Sequence, residues 1–162
     1  MKTYVGIDNG CTGSIGIINR NGTEYYKMPV KSEQNYTKAK GNITRVDVPA
    51  LTDMLYVHKA DNPTVLLERP MVNPSRFKAT TSALRALEAT LVCLEALGFP
   101  LRYIDSKEWQ KKLLPKGLKG SAELKKASVD IGCRLFRQHT EMIKKCKDAD
   151  GLLIAEYARL TL

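Results

Sequence analysis

Two short apolar runs that each end in a carboxylate constrain this chain more than anything else in it: Thr3-Tyr4-Val5-Gly6-Ile7-Asp8 and Thr64-Val65-Leu66-Leu67-Glu68. Both are β-rich, and the second is stopped by Arg69-Pro70, so each reads as a buried strand. A carboxylate carried by such a strand is costly unless something compensates its charge. The fold must therefore bring a compensating group, most simply a cation, to Asp8 and to Glu68.

The surrounding pattern says how the strands are arranged. Gly13–Asn19 is a second β-rich run, joined to the first by the turn-prone Asn9-Gly10-Cys11-Thr12. Asn21-Gly22 marks another turn, after which Thr23–Met28 completes a three-stranded antiparallel meander ended by Pro29. The polar stretch Val30–Arg45 reads as a mobile loop, and Val48–His58 as a helix with Leu51 and Leu55 on one face. From Thr81 the residues Leu84, Leu87, Leu91 and Leu94 recur at helical spacing up to the stop Gly98-Phe99-Pro100. Leu101–Ile104 is a further short strand. Asp105-Ser106-Lys107-Glu108 has the form of a capping box leading into Trp109–Leu114, with Trp109 expected in the core, and Pro115–Gly120 is a basic loop. Leu124, Ala127, Ile131 and Leu135 mark one more helix, and Asp148–Leu160 the last, with Leu153, Tyr157 and Leu160 as its apolar stripe. A meander followed by alternating helices and strands is an α/β chain with a mixed sheet.

At 162 residues the chain reads as a single domain, 1–162, able to bury roughly 70% of its unfolded surface without a disulfide or metal staple. No apolar run approaches the roughly 20 residues needed to span a bilayer, and the start Met1-Lys2-Thr3 has no signal-peptide pattern, so a cytoplasmic location and no membrane partner are expected. Cys11, Cys93, Cys133 and Cys146 are scattered, with only His58 and His139 to assist them, which argues against a zinc site. The net charge is +9, and the segment Leu101–Lys147 carries ten lysines and three arginines against five acids, 13 − 5 = +8. Such one-sided basicity fits a partner made of phosphates, although a solvated lysine-rich face has the same composition.

Four acids carry the chemistry. Asp148 and Asp150 open a C-terminal helix whose apolar stripe must dock on the sheet, so they can converge with Asp8 and Glu68. Singly, each acid has a structural explanation: Asp148 and Asp150 suit a helix N-terminus, Asp8 can cap a turn, and Glu68 can pair with Arg69 or a lysine. Together they form a hard oxygen donor set suited to Mg²⁺ or Mn²⁺, and two such ions can clamp the attacking and leaving oxygens of a phosphoryl displacement. The reaction class this suggests is metal-dependent phosphodiester cleavage.

The series Gly6-Ile7-Asp8-Asn9-Gly10-Cys11-Thr12-Gly13, Leu67-Glu68-Arg69-Pro70, Trp109-Gln110-Lys111-Lys112, Lys126-Ala127-Ser128 and Asp148-Ala149-Asp150-Gly151-Leu152-Leu153-Ile154-Ala155-Glu156 resembles the RuvC-like Holliday junction resolvases, in particular their bacteriophage-type branch. The resemblance runs from Tyr4 to Tyr157. It implies a ribonuclease H-like fold, with a mixed five-stranded sheet and helices on both faces. It also implies a homodimer and paired incisions in four-way DNA junctions or other branched DNA. These would leave 5′-phosphates, and would use two Mg²⁺ per site, with Mn²⁺ able to substitute, and no small-molecule cofactor. By position Asp8 is the first-strand acid, Glu68 the acid ending the fourth strand, and Asp150 the acid before the Leu-Leu-Ile-Ala-Glu run. In the implied mechanism Asp8 bridges both ions, while Glu68 and Asp150 each help hold one. The family's other C-terminal acid stands three or four residues before the last, where this chain has Lys147 and Cys146. Asp148 is therefore open to three roles: metal ligand, orienter of a water, or support for its neighbours. The family's basic residues correspond to Lys111 or Lys112 and to Lys125 or Lys126.

Further DNA contacts are expected from Lys116 and Lys119 in the basic loop and from Arg76 and Lys78, with Phe77 between them as a wedge. Tyr25, Tyr26 and Tyr36, near Lys27, Lys31, Lys38, Lys40 and Arg45, are candidates to stack on unpaired bases, though tyrosines on strands are more often half-buried packing. The Thr81–Leu97 helix is the candidate dimer surface, though an ordinary core helix has the same pattern. Three other readings compete: a nucleotide-binding hairpin of the actin and sugar-kinase type, which needs a second domain; a ribonuclease H or flap nuclease with the same metal centre; and a junction-binding protein without catalysis.

Overall fold

A computed structural model of the chain describes residues 2–162. Its main sheet has the strand order β3-β2-β1-β6-β7, built from β1 (Tyr4–Ile7), β2 (Ser14–Asn19), β3 (Gly22–Lys27), β6 (Thr64–Glu68) and β7 (Leu101–Ile104). The first three strands pair antiparallel, whereas β1–β6 and β6–β7 are parallel, so the sheet is mixed as the sequence predicts. The central position of β1 follows from its content: every residue in it is buried, and only a strand covered on both faces reads that way.

Alternation divides the core into two layers. Val5, Ile7, Ile15, Ile17, Val65 and Leu67 face α1 (Val48–Tyr56) and α2 (Phe77–Leu97). Tyr4, Ile18 and Leu66 face the other way, toward α3 (Ser106–Leu113), α4 (Gly120–Leu135), α5 (Thr140–Cys146) and α6 (Asp150–Thr161).

On that second face Gly6 and Gly16 sit side by side in register, and α6 lies directly on them. A Cβ at Gly6 would collide with the backbone at Ala155 and Gly151, and one at Gly16 with that of Leu152. From the helix side, a Cβ at Gly151 would stand 2.6 Å from the Ser14 carbonyl oxygen. This three-glycine contact lets the helix backbone touch the sheet and brings the N-terminus of α6 beside the end of β1. Gly151 N–H donates to Ser14 Oγ at 3.0 Å, which locks the register.

The structure departs from the sequence expectations in several places. The stretch read as a mobile loop contains a second, two-stranded sheet, β4 (Val30–Gln34) with β5 (Asn42–Val46). Its strands alternate exposed with half-buried residues, are bridged by the Arg45–Glu33 ion pair, and send only Val46 into the core, so the apolar signal of a strand is weak. Helix α2 begins at Phe77 rather than near Thr81, because its first turn is exposed and carries no periodicity. Its buried face is Ala86, Thr90, Cys93, Leu94 and Leu97, while Leu84 is 44% exposed. Helix α5 was not anticipated. Helix α6 starts at Asp150, leaving Asp148 in the linker, and it is buried nearly all round from Gly151 to Ala155, with Leu160 exposed instead of completing a stripe.

Candidate active site

Asp8 follows β1 directly and Glu68 ends the parallel neighbour β6; since Ile7 pairs with Leu67, the two acids emerge side by side. The glycine contact described above sets Asp150, the first residue of α6, against them. Lys147, in the left-handed conformation at φ 54°, ends α5 and turns the chain so that Asp148 is buried beneath the helix start. Carboxylate oxygens of Asp8, Asp148 and Asp150 all lie within 4.8 Å of one another. Glu68 stands outside that trio, at the strand end beside Asp8, and its negative charge is among those that raise the Asp8 carboxyl. Asp8, Glu68 and Asp150 open into a cleft of about 560 Å³ that Asn9, Arg76, Thr80 and Gln110 also line, with Asp148 buried behind them.

The electrostatics are those of like charges crowded together away from water. Burial drives the Asp8 carboxyl well above the usual carboxylate range, and the negative charges of Asp148, Glu68 and Asp150 add to the effect. Asp150 is pushed up to about 7 by burial and by Asp148, against the opposing influence of the Ser128 hydroxyl and the Lys125 ammonium. Glu68 is raised as well, chiefly by burial, and a hydrogen bond from Trp109 works in the other direction. Among the described residues none of the four acids forms a salt bridge, although the chain is strongly basic. Hard oxygen donors that cannot all ionise without a countercharge are what Mg²⁺ or Mn²⁺ binding requires, so the donor set fits the expected metal.

Neutral donors hold the acids in place. Trp109 Nε1–H donates to Glu68 Oε1 at 3.0 Å. The Ser128 hydroxyl donates to Asp150 Oδ1, and the Asp150 backbone N–H donates to Asp148 Oδ1 at 2.7 Å. Asp148 thus has the helix-start role that sequence reasoning allowed it, in addition to its place in the cluster. Tyr25 is buried, and its hydroxyl donates to the Asp148 carbonyl at 2.6 Å; it supports the site from within and does not line a DNA surface. Tyr26 is partly exposed with its hydroxyl on Glu24, and Tyr36 is 60% exposed with the Arg45 and Arg85 guanidinium groups against its ring. The roles of Trp109, Ser128 and Tyr25 were missed, since nothing local in the sequence marks a core tryptophan or a helical serine as a donor to a carboxylate elsewhere in the chain.

The basic candidates separate by position. Lys111 and Lys116 line a groove that shares Gln110 with the acidic cleft, whereas the Lys112 ammonium stands over the Tyr157 ring, 6.0 Å from its centroid. Lys125 is close enough to act on Asp150, while Lys126 faces a separate depression beside Asp130 and Arg134. Arg76 lines the cleft, and Lys78 and Lys119 are exposed at its flank and at the start of α4, respectively. Phe77 is 77% exposed.

The mixed sheet, the helices on both faces and the acids at adjacent strand ends define the α/β architecture of the ribonuclease H-like fold. Two solved structures of RuvC from Thermus thermophilus share it. One, in complex with a Holliday junction substrate, superposes with a TM-score of 0.58 at 15% identity over 99% of this chain and 97% of that one. The other gives a TM-score of 0.50 at 18% identity over 98% and 96%. No protein-family model matches the chain, and no curated protein matches it in sequence.

Proposed function

We propose that this protein is a divalent-metal-dependent endonuclease that resolves four-way DNA junctions by paired phosphodiester hydrolysis, acting as a homodimer and leaving 5′-phosphates. The observation that carries this reading is the convergence of Asp8, Asp148 and Asp150 within 4.8 Å, beside Glu68 at the end of the neighbouring strand, in a chain of net charge +9. The fold shared with a RuvC structure bound to a Holliday junction substrate supports the choice of DNA and of branched DNA.

Asp8, central among the acids, together with Glu68 and Asp150, would hold Mg²⁺, two ions per site, with Asp148 completing or buttressing the set. Such ions supply Lewis-acid polarisation of the phosphoryl oxygen and bring the pKa of water toward neutrality. The residues of the chain do the rest. Asp8, Glu68 and Asp150 face the cleft, and Gln110 and Arg76 line the walls between which the reacting phosphate would sit. Lys111 and Lys125 approach from opposite elements, α3 and α4, and neutralise charge on the scissile and flanking phosphates. Lys112, Lys116, Lys119, Lys126 and Lys78 extend the positive surface along the duplex arms, each neutralised phosphate releasing counterions. Exposed Leu84, at 44%, and Val92, at 49%, stand with Glu88 between them on the outer side of α2, where a second copy would pack. An isologous pair would present two clefts to the two continuous strands of a pseudo-symmetric junction.

The test is a substrate panel. A labelled four-way junction, a flap, a linear duplex and an RNA–DNA hybrid are incubated with Mg²⁺ or EDTA. Symmetrically paired nicks confined to the junction and abolished by EDTA are the expected result; cutting of the hybrid alone would assign the site to ribonuclease chemistry instead.

A further inference from the structure

The chain holds one tryptophan, and it is spent at the acidic cluster: Trp109 is wholly buried, yet its single polar atom, Nε1–H, donates to Glu68 Oε1 at 3.0 Å. Burying an indole needs only a partner for that N–H, and a backbone carbonyl of the core would serve as well as any. The partner is instead a carboxylate 41 positions away on a neighbouring element. The surrounding contacts fix this choice. Arg69, next to Glu68, is drawn away from it: its guanidinium pairs with Asp105 at 2.9 Å and lies over the Tyr103 ring at 5.3 Å. Asp105 also begins α3 through a capping box with Glu108, so the start of α3 is tied to the end of β6, and Trp109, one turn on, is set over Glu68. The Arg69 backbone N–H on the Ile104 carbonyl, 2.9 Å away, holds the same junction from the main chain.

We propose that Trp109 is a positioning residue for Glu68 and, as the sole tryptophan, an intrinsic reporter of cation binding at the cluster. This inference rests on the metal-dependent reading above. A neutral donor orients a carboxylate without cancelling its charge, which an arginine or lysine at that place would do in competition with the ion. With one oxygen engaged by the indole, the other is left for a cation shared with Asp8. The same logic runs through the site, where the Ser128 hydroxyl on Asp150 is likewise an uncharged donor. An ion that draws on the Glu68 carboxylate changes the electron density at Oε1, and therefore the environment of the excited indole.

The experiment uses the full chain and Ca²⁺, read without reference to cleavage. In the wild type, Ca²⁺ shifts the tryptophan emission saturably, with the same midpoint as its binding isotherm by calorimetry, and Glu68→Gln removes the shift. Trp109→Phe, which deletes the N–H and keeps a buried ring, retains the wild-type circular dichroism and metal-free junction binding but weakens Ca²⁺ by about tenfold or more. Emission that stays constant while calorimetry records binding, or a folded Trp109→Phe protein with wild-type affinity, overturns the positioning role and leaves the metal site standing. No calorimetric binding to the wild type overturns both. Should Trp109→Phe fail to fold, the wild-type emission titration and its Glu68→Gln control still decide the question.

Discussion

Replacing Asp150 with asparagine is expected to stabilise the metal-free protein, because the native fold pays for a charge it cannot neutralise. Burial and the neighbouring Asp148 move the Asp150 carboxyl from 3.8 to about 7. At about 1.4 kcal/mol per unit, keeping it ionised above pH 7 costs on the order of 4 kcal/mol. Partial solvation at the cleft mouth reduces this, so about 2–4 kcal/mol is the working range, or roughly 4–16 °C in Tm for a domain of this size. The sign with pH follows from linkage. A raised native pKa means that the native state keeps a proton the unfolded chain has lost, so the penalty is full above about pH 7 and shrinks as pH falls toward 4. At pH 5 it amounts to about 1.6 kcal/mol at most. Asparagine retains an oxygen for the Ser128 hydroxyl, so little else changes. Thermal unfolding in EDTA, followed by circular dichroism at pH 8 and pH 5, should show a gain that is large at the first and small at the second. Saturating Mg²⁺ should raise the wild-type Tm more than that of Asp150→Asn, erasing the difference. A variant less stable than wild type at pH 8, or a gain independent of pH, would refute the idea that the cluster is strained for want of a cation.

Gly6→Ala or Gly16→Ala places a methyl group inside the backbone of α6, and a loss of about 3 kcal/mol or more is expected, measured by urea unfolding of whatever soluble protein remains. Tyr25→Phe strands the buried Asp148 carbonyl and should cost about 1–3 kcal/mol in the same measurement. Within each lysine pair, Lys111→Ala and Lys125→Ala are expected to slow junction cleavage by at least about tenfold at fixed salt, whereas Lys112→Ala and Lys126→Ala should mainly lower the salt slope of binding by about one each.

The parts of this fold legible in the sequence are those whose signal is local. Thr64–Glu68 and Leu101–Ile104 emerge as strands with their expected boundaries because each is a short apolar run between turn residues. The capping box of α3 is present because its two partners are three positions apart. Asp8 and Glu68 are conspicuous because a carboxylate on an apolar strand demands a reason. What was not legible depends on separation or on weak pattern. The β4–β5 hairpin gives the core only Val46, too little to announce it, and the first turn of α2 is too exposed to show periodicity. The side-chain donors that hold the acids come from residues 22 to 41 positions away, or 123 in the case of Tyr25, distances over which no motif runs. Tyr25 takes the packing position that strand tyrosines more often hold, and nothing in the sequence separates it from Tyr26 and Tyr36, which face solvent.

The central claim is that the acids perform hydrolysis while the basic surface performs recognition, and Asp8→Asn separates the two most directly. Asp8 is one of the three acids that converge within 4.8 Å and makes no salt bridge among the described residues, so the amide removes a charge and leaves the basic face intact. Binding of a labelled four-way junction in EDTA and its cleavage in Mg²⁺ would be measured on the same preparation. The account predicts junction affinity equal to or above that of wild type together with complete loss of paired nicks. Undiminished cleavage, or binding and cleavage lost in equal measure, would contradict it.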